Sequence, residues 1–109
     1  MEYTEYTAGD GRCALTLPVF HGEDAACRMN GFYKAALDTL WNYGSGLTEQ
    51  DRRCGFFCSP EILEENGILT VILHLTYRRP GKPSLRKNVI HHWKDGYLYT
   101  GRKISHSIL

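Results

Sequence analysis

Apolar side chains recur at intervals of three and four residues after an acidic start at Gly22-Glu23-Asp24. This spacing is typical of a helix with one buried face, and acidic residues in a first turn complement the helix dipole. It predicts one helix of about 20 residues. Gly44 stands where a left-handed C-terminal cap is expected, and the polar segment Ser45 to Arg53 is predicted to be a loop. The apolar positions are Ala25, Met29, Phe32, Tyr33, Ala36, Leu37, Leu40 and Trp41.

Before the helix, apolar and polar residues alternate with a period of two, which is typical of strands. Residues 2–8 and Cys13 to Val19 are predicted as two strands joined by a turn at Gly9-Asp10-Gly11. Because Pro18 cannot donate a ladder hydrogen bond, we expect it near the end of its strand or on a sheet edge.

From Cys54 onward the chain predicts a meander of strands. Asn66-Gly67 and Asp95-Gly96 are expected to be hairpin turns, since both favour positive φ. In the central strand, Leu69, Val71, Leu73 and Leu75 share one face and supply an apolar surface for the helix. The predicted strands run from Cys54 through Leu63, from Ile68 to Tyr77, from Leu85 to Trp93, and from Tyr97 to Ile104.

The order ββαββββ predicts an α+β fold, with one long helix packed on an antiparallel sheet in a single domain over residues 1–109. Of the 109 residues, 42% are hydrophobic and 12% aromatic, which excludes a disordered chain. No apolar run reaches the roughly 18 residues of a membrane span, so no transmembrane segment is expected. Met1 to Asp10 lacks the features of a signal peptide, and the compartment stays open.

The net charge of +1 conceals an uneven distribution. Residues 1–66 carry a net charge of −6, and residues 67–109 carry +7. If the two halves interleave in space, most of this charge cancels as cross-strand pairs. The alternative is a molecule with two faces, of which the basic one meets an anionic partner.

Four cysteines, Cys13, Cys27, Cys54 and Cys58, allow three disulfide connectivities in a secreted domain. Without a secretion signal, buried free thiols are the favoured interpretation. The alternation of Cys54, Phe56 and Cys58 places these side chains on the inward face of a strand.

The histidines and cysteines give little indication of a catalytic or metal site. His91 and His92 are adjacent on a strand, so they point to opposite faces and cannot both bind one metal ion. A zinc site from Cys54, Cys58, His74 and one of these histidines needs neighbouring strands. No nucleophile motif or phosphate loop is present, so neither an enzyme nor a cofactor is predicted, and no metal site is expected.

Several short motifs resemble a known bacterial family. Leu17-Pro18-Val19-Phe20 precedes the helix, Met29-Asn30 lies within it, and Asn66-Gly67-Ile68-Leu69-Thr70-Val71 opens the central strand. Together with the closing Trp93-Lys94-Asp95-Gly96 through Thr100-Gly101-Arg102, these resemble the domain of unknown function found at the C-terminus of lysozyme-sensing anti-sigma factors. A similar domain accompanies some peptidoglycan deacetylases.

This resemblance implies a non-catalytic sensing or binding module of the cell envelope. It also implies an extracytoplasmic location, if an anchor has been removed. The family often has a Gly-Gly-Ala-His type segment after the central strand, whereas this chain has Tyr77-Arg78-Arg79-Pro80-Gly81-Lys82-Pro83. A shared ligand therefore does not follow from the resemblance.

The predicted contact surface is either the concave face of the sheet or the basic segment from Tyr77 to Lys87. Positive charge beside aromatic rings suits a protein ligand or an anionic cell-wall polymer, and it also suits a nucleic acid, which is the alternative function. The tyrosines Tyr3, Tyr6, Tyr97 and Tyr99 are candidates for an exposed recognition patch. An edge strand could also pair with a copy of itself, so a homodimer is possible. The predicted binding residues are Tyr77, Arg78, Arg79, Lys82, Arg86, Lys87 and Trp93.

Overall fold

The computed structural model describes residues 1–99, which form one helix and a six-stranded sheet. The predicted final strand beyond Tyr99 lies outside the described residues. The elements are β1 (Tyr3–Gly9), β2 (Cys13–Phe20), α1 (Asp24–Gln50), β3 (Gly55–Glu65), β4 (Ile68–Arg78), β5 (Leu85–Lys94) and β6 (Tyr97–Leu98).

The strands lie in the sheet in the same order as in the sequence. All neighbouring pairs are antiparallel except β2 and β3, which α1 connects and which run parallel over Cys13–Leu15 and Phe56–Cys58. The prediction of an α+β fold with one long helix and six strands is thus confirmed. The sheet is mostly rather than wholly antiparallel, because a helix between two strands returns the chain in the same direction.

The helix is longer than its sequence pattern predicts. It continues through Gly44 and ends at Gln50, so the prediction of a cap at Gly44 followed by a loop is wrong. Packing explains the difference: Leu47 lies against the core, Thr48 is buried, and Arg12 donates a hydrogen bond to the Thr48 carbonyl at 3.4 Å. Such tertiary contacts outweigh the poor helix propensity of the polar segment.

Gly44 allows the helix to approach the sheet closely. A Cβ atom at this position would clash with the ring of Phe56 and lie 3.1 Å from the Cys13 Sγ. The glycine is therefore required by packing in the middle of α1 and does not terminate it.

The core lies between α1 and the inward faces of β2, β3 and β4, and it includes Trp93 of β5. Phe56 and Cys58 are buried, as the alternation predicts, and so are Leu69, Val71 and Leu73, while Leu75 is half-buried. The largest fully buried side chains are Leu15, Met29, Tyr33 and Val71.

A side chain of the helix extends the sheet at the end of β2. The Asn30 amide accepts a hydrogen bond from the Phe20 N–H at 2.8 Å and donates one to the Phe20 carbonyl at 2.9 Å. Since β2 pairs with β3 only as far as Leu15, Asn30 satisfies backbone groups that this neighbour leaves unpaired.

The two halves of the chain do not interleave, because the sheet order follows the sequence order. The acidic first half supplies β1 to β3, and the basic second half supplies β4 to β6. Among residues 1–99, a single acid–base contact joins the halves, between Glu61 and His74 at 2.8 Å, and it is an ion pair when His74 is protonated. The expected cancellation by cross-strand pairs is therefore not found, and the charge is divided between the two sides of the sheet.

We predict that Gly44→Ala lowers the free energy of unfolding by about 1–3 kcal/mol, since the added methyl overpacks the contact with Phe56. Urea denaturation measures this change. Gly46→Ala is the matched control, because a Cβ there meets nothing within 4 Å. It should stabilise the protein by about 0.5–1 kcal/mol, as alanine does in a helix. Equal stabilisation by both substitutions would contradict the close approach at Gly44.

Candidate functional site

The helix crosses the sheet obliquely. At its N-terminal end, Ala25 lies against Gly96, and Arg28 donates hydrogen bonds to the carbonyls of Asp95 and Gly96 at 2.8 and 3.2 Å. At its C-terminal end, Gly44 lies against β3 at Phe56. The helix therefore moves away from β5 along its length and leaves a groove between itself and that strand.

We call this depression the β5 groove. Its two ends have nearly equal volumes and share Leu40 and Leu75. We call the end near Phe32 the narrow end, because α1 lies nearer to β5 there, and the end near Tyr43 the wide end. The narrow end has a volume of about 340 Å³ and is lined by Phe32, Ala35, Ala36, Thr39, Leu40, Leu73, Leu75, Val89 and His91. The wide end has a volume of about 330 Å³ and is lined by Leu40, Tyr43, Phe56, Leu75, Tyr77, Leu85, Arg86 and Lys87.

Apolar side chains are left open to solvent in the groove. Leu75 and Val89 are half-buried, although they lie on the sheet face that the helix packs against, and Leu85 is 53% exposed. The helix contributes small side chains here, Ala35 and Ala36, which leave space above β4 and β5. From Leu85 to His91 an extended strand measures about 20 Å, so the groove is long enough for several residues of an extended chain.

The wide end combines hydroxyl groups with positive charge. The Tyr77 hydroxyl lies 3.6 Å from the Cys54 Sγ. This hydrogen bond, together with burial, raises the pKa of Tyr77, so the phenol remains protonated and able to donate. Arg86 and Lys87 are exposed beside it.

The narrow end is built on a buried polar chain. The Trp93 indole N–H donates to the Tyr33 hydroxyl at 2.9 Å, and that hydroxyl lies 3.2 Å from His91 Nδ1. Since the indole can only donate, the phenol proton is free to be donated to a neutral His91. Burial is the main cause that lowers the pKa of His91, and His92 adds to it.

The predicted binding residues divide into three groups. Tyr77, Arg86 and Lys87 meet at the wide end of the groove. Arg78 lies over the Phe57 ring, 5.1 Å from its centroid. Arg79 and Lys82 belong to the turn between β4 and β5, where Arg79 Nη2 donates to the Pro83 carbonyl at 3.0 Å.

Trp93 does not belong to this surface. It is only 4% exposed, and its indole packs edge-on against Phe32 with ring centroids 5.1 Å apart. An inward position on β5 beneath the helix makes it a core residue. It cannot stack on a base or a sugar ring.

Sequence reasoning missed the residues that the helix contributes to the groove. Ala35, Ala36 and Thr39 are recognisable in the sequence as small side chains on one part of the helix. The sequence does not show that α1 crosses the sheet obliquely, and this crossing is what places them beside the uncovered part of β5. Tyr43, which is 59% exposed, gave no signal because it falls beyond the apolar period of the helix.

The histidines occupy the faces that alternation predicts. His91 lies under the helix, whereas the His92 Nδ1 lies 2.9 Å from the Thr70 hydroxyl on the opposite face. His74 lies on that opposite face too, bonded to Glu61 and Asn88, while Cys58 is buried under the helix. The described residues contain no cluster of three or more potential metal ligands.

Three of the four cysteines are buried free thiols, and burial raises the pKa of Cys58 to about 11. Cys27 is exposed, which contradicts the prediction for that residue. It lies on the helix face turned away from the sheet, which the apolar positions of the helix pattern do not include.

The tyrosines Tyr3, Tyr6, Tyr97 and Tyr99 are between 39% and 61% exposed. No helix within residues 1–99 is long and apolar enough to cross a membrane.

No protein-family model matches this sequence, and no curated protein matches it. The resemblance to the accessory domain of anti-sigma factors and deacetylases therefore stays a prediction. Two of its motifs are in contact in the structure, since Asn30 bonds to both backbone groups of Phe20.

We predict that His91 titrates below the ordinary histidine pKa of 6.5 and His74 above it. Burial disfavours charge on His91, whereas Glu61 and Asn88 accept hydrogen bonds from a charged His74. Side-chain NMR of the imidazoles against pH gives both midpoints. Glu61→Gln should move the His74 midpoint down and leave the His91 midpoint in place, and a His91 midpoint above that of His74 would contradict the assignment.

The same shifts give opposite dependences of stability on pH. Because the folded-state pKa of His91 is lowered, the contribution of neutral His91 to the free energy of unfolding is lost as the pH falls below 6.5. The raised pKa of His74 means that its contribution is lost as the pH rises through the folded-state value. Urea denaturation between pH 5 and 8 gives the free energy of unfolding as a function of pH. We expect His91→Asn to reduce its decrease toward acid pH and Glu61→Gln to reduce its decrease toward alkaline pH.

Proposed function

We propose that the protein is a non-catalytic binding or sensing domain that captures an extended peptide segment of a partner protein in the β5 groove. The observation that carries this proposal is the open apolar floor between α1 and β5. Half-buried Leu75 and Val89 and exposed Leu85 form a concave apolar surface that this fold leaves available. Concave apolar surfaces with a few polar groups are typical of binding sites.

The shape and lining of the groove favour a peptide over a nucleic acid. Six of the nine residues that line its narrow end are alanine, leucine or valine, whose side chains accept apolar side chains of a ligand. Nucleic-acid channels carry positive charge along the path of the backbone and aromatic platforms for bases. Here the cations are confined to one end, and the indole of Trp93 is buried.

The resemblance to cell-envelope sensing domains supports the same class of function. A sensor of that kind recognises a protein or a cell-wall component without chemical conversion. A bacterial, extracytoplasmic setting forms part of the proposal on that ground alone.

Selection from a displayed random peptide library tests the proposal. Peptides of about ten residues can span the groove in extended form. We expect the native protein to enrich a set of peptides and Ala35→Trp to lose at least about tenfold of that enrichment, because the indole fills the narrow end. Asn42→Trp is the matched control, with the same side chain added to the same helix outside the groove lining.

Two results would overturn the proposal. One is the absence of peptides that depend on an open groove, with equal enrichment on the native protein and Ala35→Trp. The other is binding of a single-stranded thymidine oligonucleotide that Ala35→Trp leaves unchanged and that weakens steeply with salt, which would indicate nucleic-acid binding through the basic segment.

A further inference from the structure

The two ends of the β5 groove differ in chemical character. The wide end presents Arg86, Lys87 and the Tyr77 hydroxyl, and the narrow end is apolar except for Thr39 and His91. No aspartate or glutamate lines either end. A ligand therefore meets hydrogen-bond donors with positive charge at one end and aliphatic side chains at the other.

The cations at the wide end have no acidic partner of their own. Within residues 1–99, neither Arg86 nor Lys87 forms an ion pair. On the adjacent strand β4, Arg86 pairs with Thr76 and Lys87 pairs with Leu75, and both partners are uncharged. The cause is the composition of this part of the sheet, since β4, β5 and β6 contain no aspartate or glutamate.

The surroundings strengthen the field of these charges. The side chains of Leu40, Leu75 and Leu85 line the same end of the groove as the cations and give it an apolar wall. A charge beside an apolar wall attracts an anion more strongly than the same charge on an open surface. Arg79 adds to this field, since its charge acts on the Tyr77 hydroxyl and its buried Nε has no hydrogen-bond partner among the described residues.

We propose that the β5 groove selects peptide segments in which a glutamate or aspartate adjoins apolar residues. The side-chain carboxylate accepts hydrogen bonds from Lys87 at the wide end, and the apolar side chains lie against Val89 and Ala36 at the narrow end. Arg86 is adjacent to Lys87 on β5 and points to the opposite face, so it adds positive charge at this end without bonding the carboxylate. This inference rests on the proposed function, because it assigns the ligand class of the same groove and says which side chains of the peptide lie at each end. Lys82 and Arg78, which line neither end, take no part in it.

Three synthetic peptide pools test the preference for acid. Their members share randomised positions filled with Leu, Ile, Val, Phe and Ser, and differ only in two adjacent positions that hold Glu, Gln or Lys. Acetylated and amidated ends remove the terminal charges, so only the side-chain carboxylate is tested. Amide NMR titration of the full chain gives the affinity of each pool.

We expect the Glu pool to bind about fivefold to tenfold more tightly than the Gln pool, as for a charge-assisted hydrogen bond at a partly exposed site, and the Lys pool to bind weakest. The double variant Lys87→Gln with Arg86→Gln should abolish the difference between the Glu and Gln pools. The double variant Lys82→Gln with Arg78→Gln removes the same charge from the same segment outside the groove, and it should preserve the difference.

The outcomes separate this inference from the proposed function. Equal binding of the Glu and Gln pools that Ala35→Trp abolishes would overturn the acid preference and leave the peptide-binding function standing. Absence of groove-dependent binding by all three pools would remove both. A preference for Glu that disappears only in the Lys82→Gln, Arg78→Gln variant would place the anion site on the turn between β4 and β5 and overturn the assignment to Lys87.

Discussion

The width of one helix limits how much of a six-stranded sheet it can cover. With side chains a helix is about 10–12 Å across, whereas six strands at about 4.8 Å spacing span more than 20 Å. The close contact between Gly44 and Phe56 places the C-terminal half of α1 over β2 and β3. Because the N-terminal end is bound at Gly96, the helix lies obliquely, and it covers β5 near Trp93 but leaves the part from Leu85 to Val89 uncovered.

Most of the fold follows from short-range patterns in the chain. The hairpin at Asn66-Gly67 was predictable because both residues adopt positive φ, at 54° and 78°. The helix and the inward face of β4 were predictable from periods of three to four and of two. The end of the helix was not, since Leu47 and Thr48 are held by contacts with the rest of the chain and by Arg12, which is 36 positions away in sequence.

The candidate site was predictable only in part. Charge clustering identified Arg86 and Lys87, and the neighbouring Tyr77 proved to share their surface. The prediction that Trp93 belongs to the contact surface was wrong. It relied on closeness to the basic segment in sequence, which does not show which face of β5 packs against the core. The helix side of the groove depends on the crossing direction of α1, which no local pattern encodes.

The separation of charge has the same origin as the groove. Sequential strand order keeps the acidic and basic halves on opposite sides of the sheet, so Arg86 and Lys87 retain charge that an interleaved topology would neutralise. The uncovered part of β5 also carries Arg86 and Lys87, and the groove therefore combines an apolar floor with cations at one end.

The parallel pairing of β2 with β3 bears on how the chain folds. Every other strand pair joins neighbours in sequence across a hairpin or a short connection, and such local contacts form quickly. The three residue pairs between β2 and β3 close a loop that contains the whole of α1, so they gain most once the helix has formed. We therefore expect the β1–β2 hairpin and the β3–β5 meander to assemble separately, with docking of α1 onto both as the step that makes folding cooperative.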